Sequence, residues 1–346
     1  MDVARFGDWA TLSYTNAKVQ ENYSRRFSIR FPNEELPAAR PHQTTPLAAQ
    51  KYHMRWFDKH LPSDGSVAIR RFGVNLVGLS IAGPNARRVL KRMTDEDISG
   101  AAFRFMDVRQ MDVNSAPCVV GRITYTGDLG YEIWMEPAYQ RKVYEGIKQA
   151  GAEFGIVDFG MRALLSMRLE KNFPTWFREL RPIYGPYEGG MERFVKLSKN
   201  DFIGRDAAAK EHAEGPKRMR ASFIVDALDA DVMGDEPIWA KVGDTDYGTV
   251  EPPHGYGAPR FSHDGREIAK PDGGTMRDGA WRVVGWVTSG GFAHTIGQSM
   301  AQGYIPASLA ANEETGLFEI EILGVRRPAR ITVQAPFDPA GEKMRS

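Results

Sequence analysis

Two carboxylate-and-aromatic stretches in the middle of the chain carry the residue types for gripping a flat polar ligand. Tyr125 and Glu132 lie in R-I-T-Y-T-G-D-L-G-Y-E-I-W (122–134), and Arg162 lies in F-G-M-R-A-L-L-S-M-R-L-E-K (159–171). A carboxylate in apolar surroundings can accept two adjacent N–H donors, rings can wall a planar group, and a guanidinium can meet a ligand carboxylate. Trp176, in K-N-F-P-T-W-F-R-E-L, follows a proline break and reads either as a hydrophobic anchor or as a platform beside a flat ligand. Each residue also has an ordinary reading. An isolated strand glutamate usually faces water, and Arg162, near the margin of an apolar helix face, reads as an arginine that snorkels to solvent. Glu170 and Lys171 read as ordinary helix-end charges.

Local pattern says how these residues are carried. Ile123, Thr124 and Tyr125 precede a T-G-D-L-G link, and Tyr131, Ile133 and Trp134 follow it. The two glycines can take φ > 0, so a hairpin or a tight irregular turn is expected between two strands. Strand alternation then points Tyr131, Ile133 and Met135 one way and Glu132 and Trp134 the other. Around this motif the periodicity predicts a helix at 52–61, strands at 66–71 and 74–83, and a helix at 85–93 with Val89, Leu90 and Met93 inward. Strands at 105–113, 117–126 and 131–136 follow. Next come helices at 138–150 and near 158–171, the latter with Met161, Leu164, Leu165, Met167 and Leu169 as its apolar face. That order predicts an α+β fold with a ferredoxin-like layer rather than a doubly wound parallel sheet. Beyond K-E-H-A-E-G-P-K-R-M (210–219) the sequence turns to short strands with Gly and Pro turns, the pattern of an all-β barrel or sandwich.

Composition narrows the function classes. With 42% hydrophobic and 26% charged residues in 346, the chain is an ordinary globular one, long enough for two or three cores. Lys plus Arg is 45 against 44 for Asp plus Glu, so no global field draws it to nucleic acid or an acidic membrane. Cys118 alone rules out an intramolecular disulfide framework, reads as a buried strand residue, and fits a reducing, cytoplasmic or organellar-matrix setting, with the cytoplasm expected. No signal peptide or membrane span is expected. The sequence has no G-x-G-x-x-G, no phosphate loop, no H-E-x-x-H and no G-x-S-x-G, and its histidines are scattered, His53 and His60 included, so no metal site is expected. The combination of carboxylate, rings and arginine fits a bicyclic heterocycle with an amino-pyrimidinone edge, the shape of pterins and folates.

At this point a resemblance decides what spacing cannot. R-I-T-Y-T-G-D-L-G-Y-E-I and G-M-R-A-L-L-S-M-R-L-E-K resemble the two signatures of the folate-binding aminomethyltransferase family, the glycine-cleavage T-protein fold. S-I-A-G-P-N-A-R-R-V-L, V-K-L-S-K-N-D-F-I-G-R and G-W-V-T-S-G-G-F-A-H-T-I-G-Q-S-M are similar to the folate half of dimethylglycine and sarcosine dehydrogenases. The resemblance implies that Tyr125, Glu132 and Arg162 line a tetrahydrofolate pocket, with Glu132 on the pterin edge; Trp176 and Glu188, in G-P-Y-E-G-G, are weaker carry-overs. It implies a folate-binding domain at 52–214, a C-terminal β-barrel domain at 215–346, and one-carbon transfer to tetrahydrofolate. Residues 1–51, rich in proline toward their end, resemble the junction between the flavin and folate halves, and read as an extended strap. No FAD is expected on this chain. The implied partners are folate and a flavoprotein amine dehydrogenase subunit, with self-association as a further way to cover apolar surface. The family also carries an N-x-x-G-G-x-x-x-D-like run whose aspartate is its catalytic carboxylate. This sequence has no such run, which raises a second expectation, a folate-binding subunit without chemistry of its own.

Overall fold

A computed structural model describes residues 54–346, apart from 68, 70, 71, 73, 74, 177, 246 and 248–276. The strap expected at 1–51, His53 and part of the strand expected at 66–71 therefore lie outside the described residues. The described chain divides into two units. One runs up to Leu164 and takes back Ala340–Ser346, and the other covers Leu165–Pro339.

In the first unit, residues 54–59 are helical. The order that follows is the one expected: β1 (Val77–Ala82), α1 (Ala86–Lys91), β2 (Val108–Val113), β3 (Ala116–Gly121), β4 (Gly130–Met135) and α2 (Pro137–Gly151). The four strands form one antiparallel sheet in the order β1-β4-β3-β2. Its core joins Ile81, Met111, Val113, Cys118, Val120, Tyr131, Ile133 and Met135 from the strands to Val89, Leu90, Val143 and Ile147 from the helices. Every inward strand residue obeys the period of two, so the sheet has one helix-covered face and one other face. Cys118 is part of this core, and burial pushes its thiol up to about 11.

The β3–β4 connection is longer than the alternation suggested. β3 stops at Gly121, and Ile123–Tyr125 are not strand. The reason lies in how the backbone is satisfied. Arg122 N–H donates to the Asp107 carbonyl (2.8 Å) and its carbonyl accepts from Met106 N–H (2.9 Å). Thr126 and Asp128 N–H groups then donate to the hydroxyls of Thr124 (3.2 Å) and Thr126 (3.3 Å). Hydroxyl-capped turns thus replace ladder bonds from residue 124 on, and Gly127 takes φ +88°.

Helix α3 (Met161–Glu170) follows. In the second unit come α4 (Arg205–Glu214), β5 (Arg218–Val225), β6 (Pro237–Lys241), the two-residue β7 (Arg277–Asp278), β8 (Trp281–Ala293), β9 (Gln298–Pro306), β10 (Phe318–Ile322) and β11 (Val325–Ile331). Six of these strands close into a barrel in the order β6-β10-β11-β5-β9-β8, with β6 also pairing β8. Phe223, Ile238, Val287, Ala301, Ile305, Phe318 and Ile320 fill it. The short helix α5 (Glu342–Arg345) ends the described chain.

Tight closure makes one glycine indispensable. A Cβ added at Gly285 in β8 would overlap the Tyr304 carbonyl oxygen and lie 2.9 Å from Ile305 Cγ2. Backbone cannot step aside without breaking the β8–β9 ladder. Gly316 has φ +82° but nothing within 4 Å of an added Cβ. Gly285→Ala is expected to lower unfolding free energy in urea by about 3 kcal/mol, and Gly316→Ala by about 1 kcal/mol. Equal losses would show that the barrel tolerates strand separation at this point.

Candidate functional site

Glu132 stands in the middle of β4 on the face away from the helices. Its cross-strand partners are Ser80 on β1 and Gly121 on β3, both small. Trp134 shares that face, between Gly78 and Val119, and is only 2% exposed. Glu132 itself is half-buried. The alternation expected from the sequence is therefore the observed one, and the carboxylate is not a plain solvent-facing group.

Tyr125 is half-buried in the 122–129 loop, where the Thr124 and Thr126 hydroxyls pair at 3.0 Å. Gly130 closes that loop: a Cβ there would come within 2.9 Å of Thr124 Cβ and 3.2 Å of the Ile81 carbonyl oxygen. Arg162, the second residue of α3, is exposed. All three belong to the first unit, whereas Trp176 and Glu188 belong to the second.

In the second unit, Trp176 is half-buried and makes a parallel bridge to Leu180. Glu188 uses both carboxylate oxygens internally: one accepts from Gly185 N–H (3.0 Å), the other from Arg218 Nε (2.9 Å). Its own N–H donates to Glu211 Oε1 (2.9 Å), and burial raises the Glu211 carboxyl above its ordinary value.

A cavity of about 1460 Å³ opens beside the sheet of the first unit. Its lining includes Val108, Gln110, Asp112, Val119, Trp134 and Glu136, but not Tyr125, Glu132 or Arg162. The carboxylate row is thus next to the cavity through Trp134 rather than inside it. Among the described residues no group of three His, Cys, Asp or Glu side chains could hold a metal ion, and no helix is long and apolar enough to cross a membrane.

Sequence reasoning missed a buried charge network in the second unit. Arg168 is 1% exposed and Glu179 is fully buried. Arg168 Nη1 donates to Glu179 Oε2 (3.1 Å), Gln302 Oε1 (3.0 Å) and the Phe173 carbonyl (3.1 Å), and Nη2 donates to Ser289 Oγ (2.6 Å). Glu179 further accepts from Thr288 Oγ1 (2.6 Å), Ser289 Oγ and Thr175 N–H (2.8 Å). Glu170 and Lys171 are buried too, which corrects their reading as helix-end charges. Glu170 accepts from Thr295 N–H (2.7 Å), and Lys171 pairs with Asp338 (2.9 Å). The apolar face expected for α3 is correspondingly weak: Leu169 is fully buried, while Met161, Leu164, Leu165 and Met167 are only half so. Glu179 lies eleven residues beyond Arg168, but α3 ends at Glu170 and Pro174 intervenes, so no continuous helical or strand period links the two charges.

Burial alone pushes the Glu179 carboxyl up, but Arg168 and the two hydroxyls hold it below its ordinary 4.5. A carboxylate held low in the folded state stabilises fully above its unfolded value and loses that contribution as pH falls through the folded one. Wild-type stability should therefore decline below pH 4.5, and Glu179→Gln should lack that part of the decline. At neutral pH, Glu179→Gln strands the Arg168 charge in the interior and is expected to cost about 3–5 kcal/mol in urea unfolding. A wild-type midpoint in the variant would remove the pair from the protein's stabilising contacts.

The GCVT N-terminal domain matches residues 35–199, the glycine cleavage T-protein C-terminal barrel domain matches residues 259–338, and the FAD dependent oxidoreductase central domain matches residues 1–45. Mitochondrial dimethylglycine dehydrogenase of Mus musculus is 34% identical over 294 residues, which are 84% of this chain and 29% of that protein. Mitochondrial sarcosine dehydrogenase of Homo sapiens is 28% identical over 274 residues, 77% of this chain and 25% of that one. An aminomethyltransferase of Thermoanaerobacter sp. (strain X514) is 36% identical over 157 residues, 45% of this chain and 42% of that one. The chain thus spans less than a third of the length of the dehydrogenases it matches. Among solved structures, the glycine cleavage system aminomethyltransferase T of Bartonella henselae superposes with a TM-score of 0.56 at 20% identity, over 76% of this chain and 60% of that one, which establishes a shared fold.

Proposed function

From a chain that carries a GCVT N-terminal domain and a glycine cleavage T-protein C-terminal barrel domain, and that is homologous to dimethylglycine and sarcosine dehydrogenases and to aminomethyltransferases, we propose a protein that binds tetrahydrofolate and takes part in one-carbon transfer from a methylated glycine or similar amine. The observation that carries this reading is the setting of Glu132: a half-buried carboxylate at mid-strand, flanked by Ser80 and Gly121, beside a buried tryptophan. Such a carboxylate can accept both N–H groups of an amino-pyrimidinone edge, and a buried indole beside it can wall a planar ring.

In this reading Glu132 holds the pterin edge, Tyr125 packs beside it and Arg162, exposed on α3, meets the ligand's carboxylates. Trp176 and Glu188 remain the weaker carry-overs of the resemblance; within its own unit Glu188 fixes its turn through Gly185 and Arg218. The resemblance implies a folate-binding domain over 52–214 and a barrel domain over 215–346, bounds that differ from the two compact units, which divide at Leu164 and Leu165. Bound tetrahydrofolate would supply the nitrogen that accepts the one-carbon unit; the protein's task is to orient that nitrogen and keep water from the donor carbon. The match of residues 1–45 to an FAD dependent oxidoreductase central domain supports a flavoprotein amine dehydrogenase as the source of that unit. The single buried cysteine fits a reducing compartment such as the cytoplasm.

One observation favours a second reading, a folate-binding subunit without catalysis: the sequence has no N-x-x-G-G-x-x-x-D-like run. Two measurements separate the readings. Calorimetric titration with tetrahydrofolate should give binding that Glu132→Gln weakens by about tenfold or more, the loss of hydrogen bonds to a charged acceptor, without a shift in thermal midpoint. Identical binding by both proteins would end the pterin assignment. Capture of formaldehyde by tetrahydrofolate, faster with the protein than in buffer, supports transfer chemistry; an unchanged rate with tight binding supports the subunit reading.

A further inference from the structure

The Glu132 row of the sheet contains an absence that the ligand reading leaves unexplained. Of the four residues directly opposite Glu132 and Trp134, three are glycine or serine: Gly78, Ser80 and Gly121. Only Val119 has bulk. Two of these small residues differ in what their smallness serves. A Cβ added at Gly121 would lie 3.0 Å from Trp134 Cζ3 and 3.1 Å from Cη2. The six-membered ring of Trp134 therefore occupies the space that a side chain at 121 would fill. Gly121 is the direct partner of Glu132, not of Trp134, so the indole leans diagonally across β3. It covers the position facing the carboxylate, at the cross-strand spacing of about 5 Å.

We propose that Gly121 is a positioning residue for Glu132: by carrying no side chain it seats the Trp134 ring over β3, and that ring forms the fixed wall against which Glu132 presents its carboxylate to a planar amino-pyrimidinone ligand. The inference rests on the reading of Glu132 as the ligand's carboxylate. On the β1 side Ser80 offers no comparable wall, so the two sides of Glu132 are unlike: an indole fixed on one, a short hydroxyl on the other. Glycine is needed here for close approach of a ring rather than for its backbone, because Gly121 sits in a regular strand pairing with β2 and β4. A Cβ at 121 obliges the indole to give by a few tenths of an ångström, since 3.0 Å is tighter than most Cβ contacts and neither neighbouring strand can open without losing its ladder.

The test is a double-mutant cycle read by calorimetric titration of 5-formyltetrahydrofolate, a stable probe, into the full chain. Gly121→Ala is expected to weaken binding about tenfold, equivalent to about 1.4 kcal/mol, and to change the near-ultraviolet circular dichroism of the tryptophans. Trp134→Leu should weaken binding to a similar degree. In the Trp134→Leu background, Gly121→Ala should cost less than about twofold, because leucine leaves that space empty. If Gly121→Ala alone does not fold, Gly121→Ala with Trp134→Leu should recover the fold, as expected of a clash with the ring. An equal loss from Gly121→Ala in both backgrounds, unchanged binding by Gly121→Ala, or a double variant as unfolded as the single one would each overturn the inference. Failure of the ligand reading looks different: the wild type does not bind, or Glu132→Gln binds as well as the wild type.

Discussion

Successive residues of a strand face opposite ways, so the pairing register of β4 governs both halves of the first unit. With Glu132 opposite Ser80 and Gly121, the core receives Tyr131, Ile133 and Met135. A slip of one residue would drive the carboxylate among Val120, Leu90 and Ile147 and turn three apolar side chains outward. Desolvating an unpaired carboxylate costs several kcal/mol, and losing the burial of three large apolar groups costs about 1.5–3 kcal/mol each. The core thus fixes the site. The hydrophobic pattern of its own strand decides which face Glu132 stands on.

The second unit uses the opposite strategy. Its α3 segment is tied to the barrel by polar groups, with Arg168 and Glu179 satisfied by Thr288 and Ser289 of β8 and Gln302 of β9. A buried pair of this kind is poor at raising stability against an apolar substitute but severe when broken, because either partner alone is an uncompensated charge. It also specifies geometry: Arg168 has fixed hydrogen-bond directions, whereas leucine packing tolerates sliding. Lys171 with Asp338 and Glu170 with Thr295 extend that fixation to the end of α3.

Much of the fold was legible because it is written in local periods. The helices at 86–91 and 137–151, the strands of both sheets and the outward pairing of Glu132 with Trp134 all follow from alternation or helical spacing. Two features misled. Ile123–Tyr125 have strand-forming side chains, yet Thr124 and Thr126 offer the backbone hydroxyl partners and the strand ends at Gly121. Glu170 and Lys171 look like solvated helix-end charges because their partners, Thr295 and Asp338, are more than a hundred residues away. Glycine 121 carried no signal of its own, since a strand glycine reads equally as a bulge, a weak point or a seat for a ring.

The sequence by itself determined the element order, the two-faced character of β4, the α+β class with a terminal run of short strands, and the resemblance from which a role for Glu132 is proposed. Those depend on side-chain period and local backbone preference, which a linear string contains. Tertiary structure alone decided that the barrel closes through β6 and β8, that Arg168 meets Glu179 against strands β8 and β9, and that the Trp134 ring rests over Gly121. Each of these is a contact between residues brought together only when strands pair or chain segments pack, where excluded volume and the cost of burying charge choose among arrangements that the local sequence leaves equivalent.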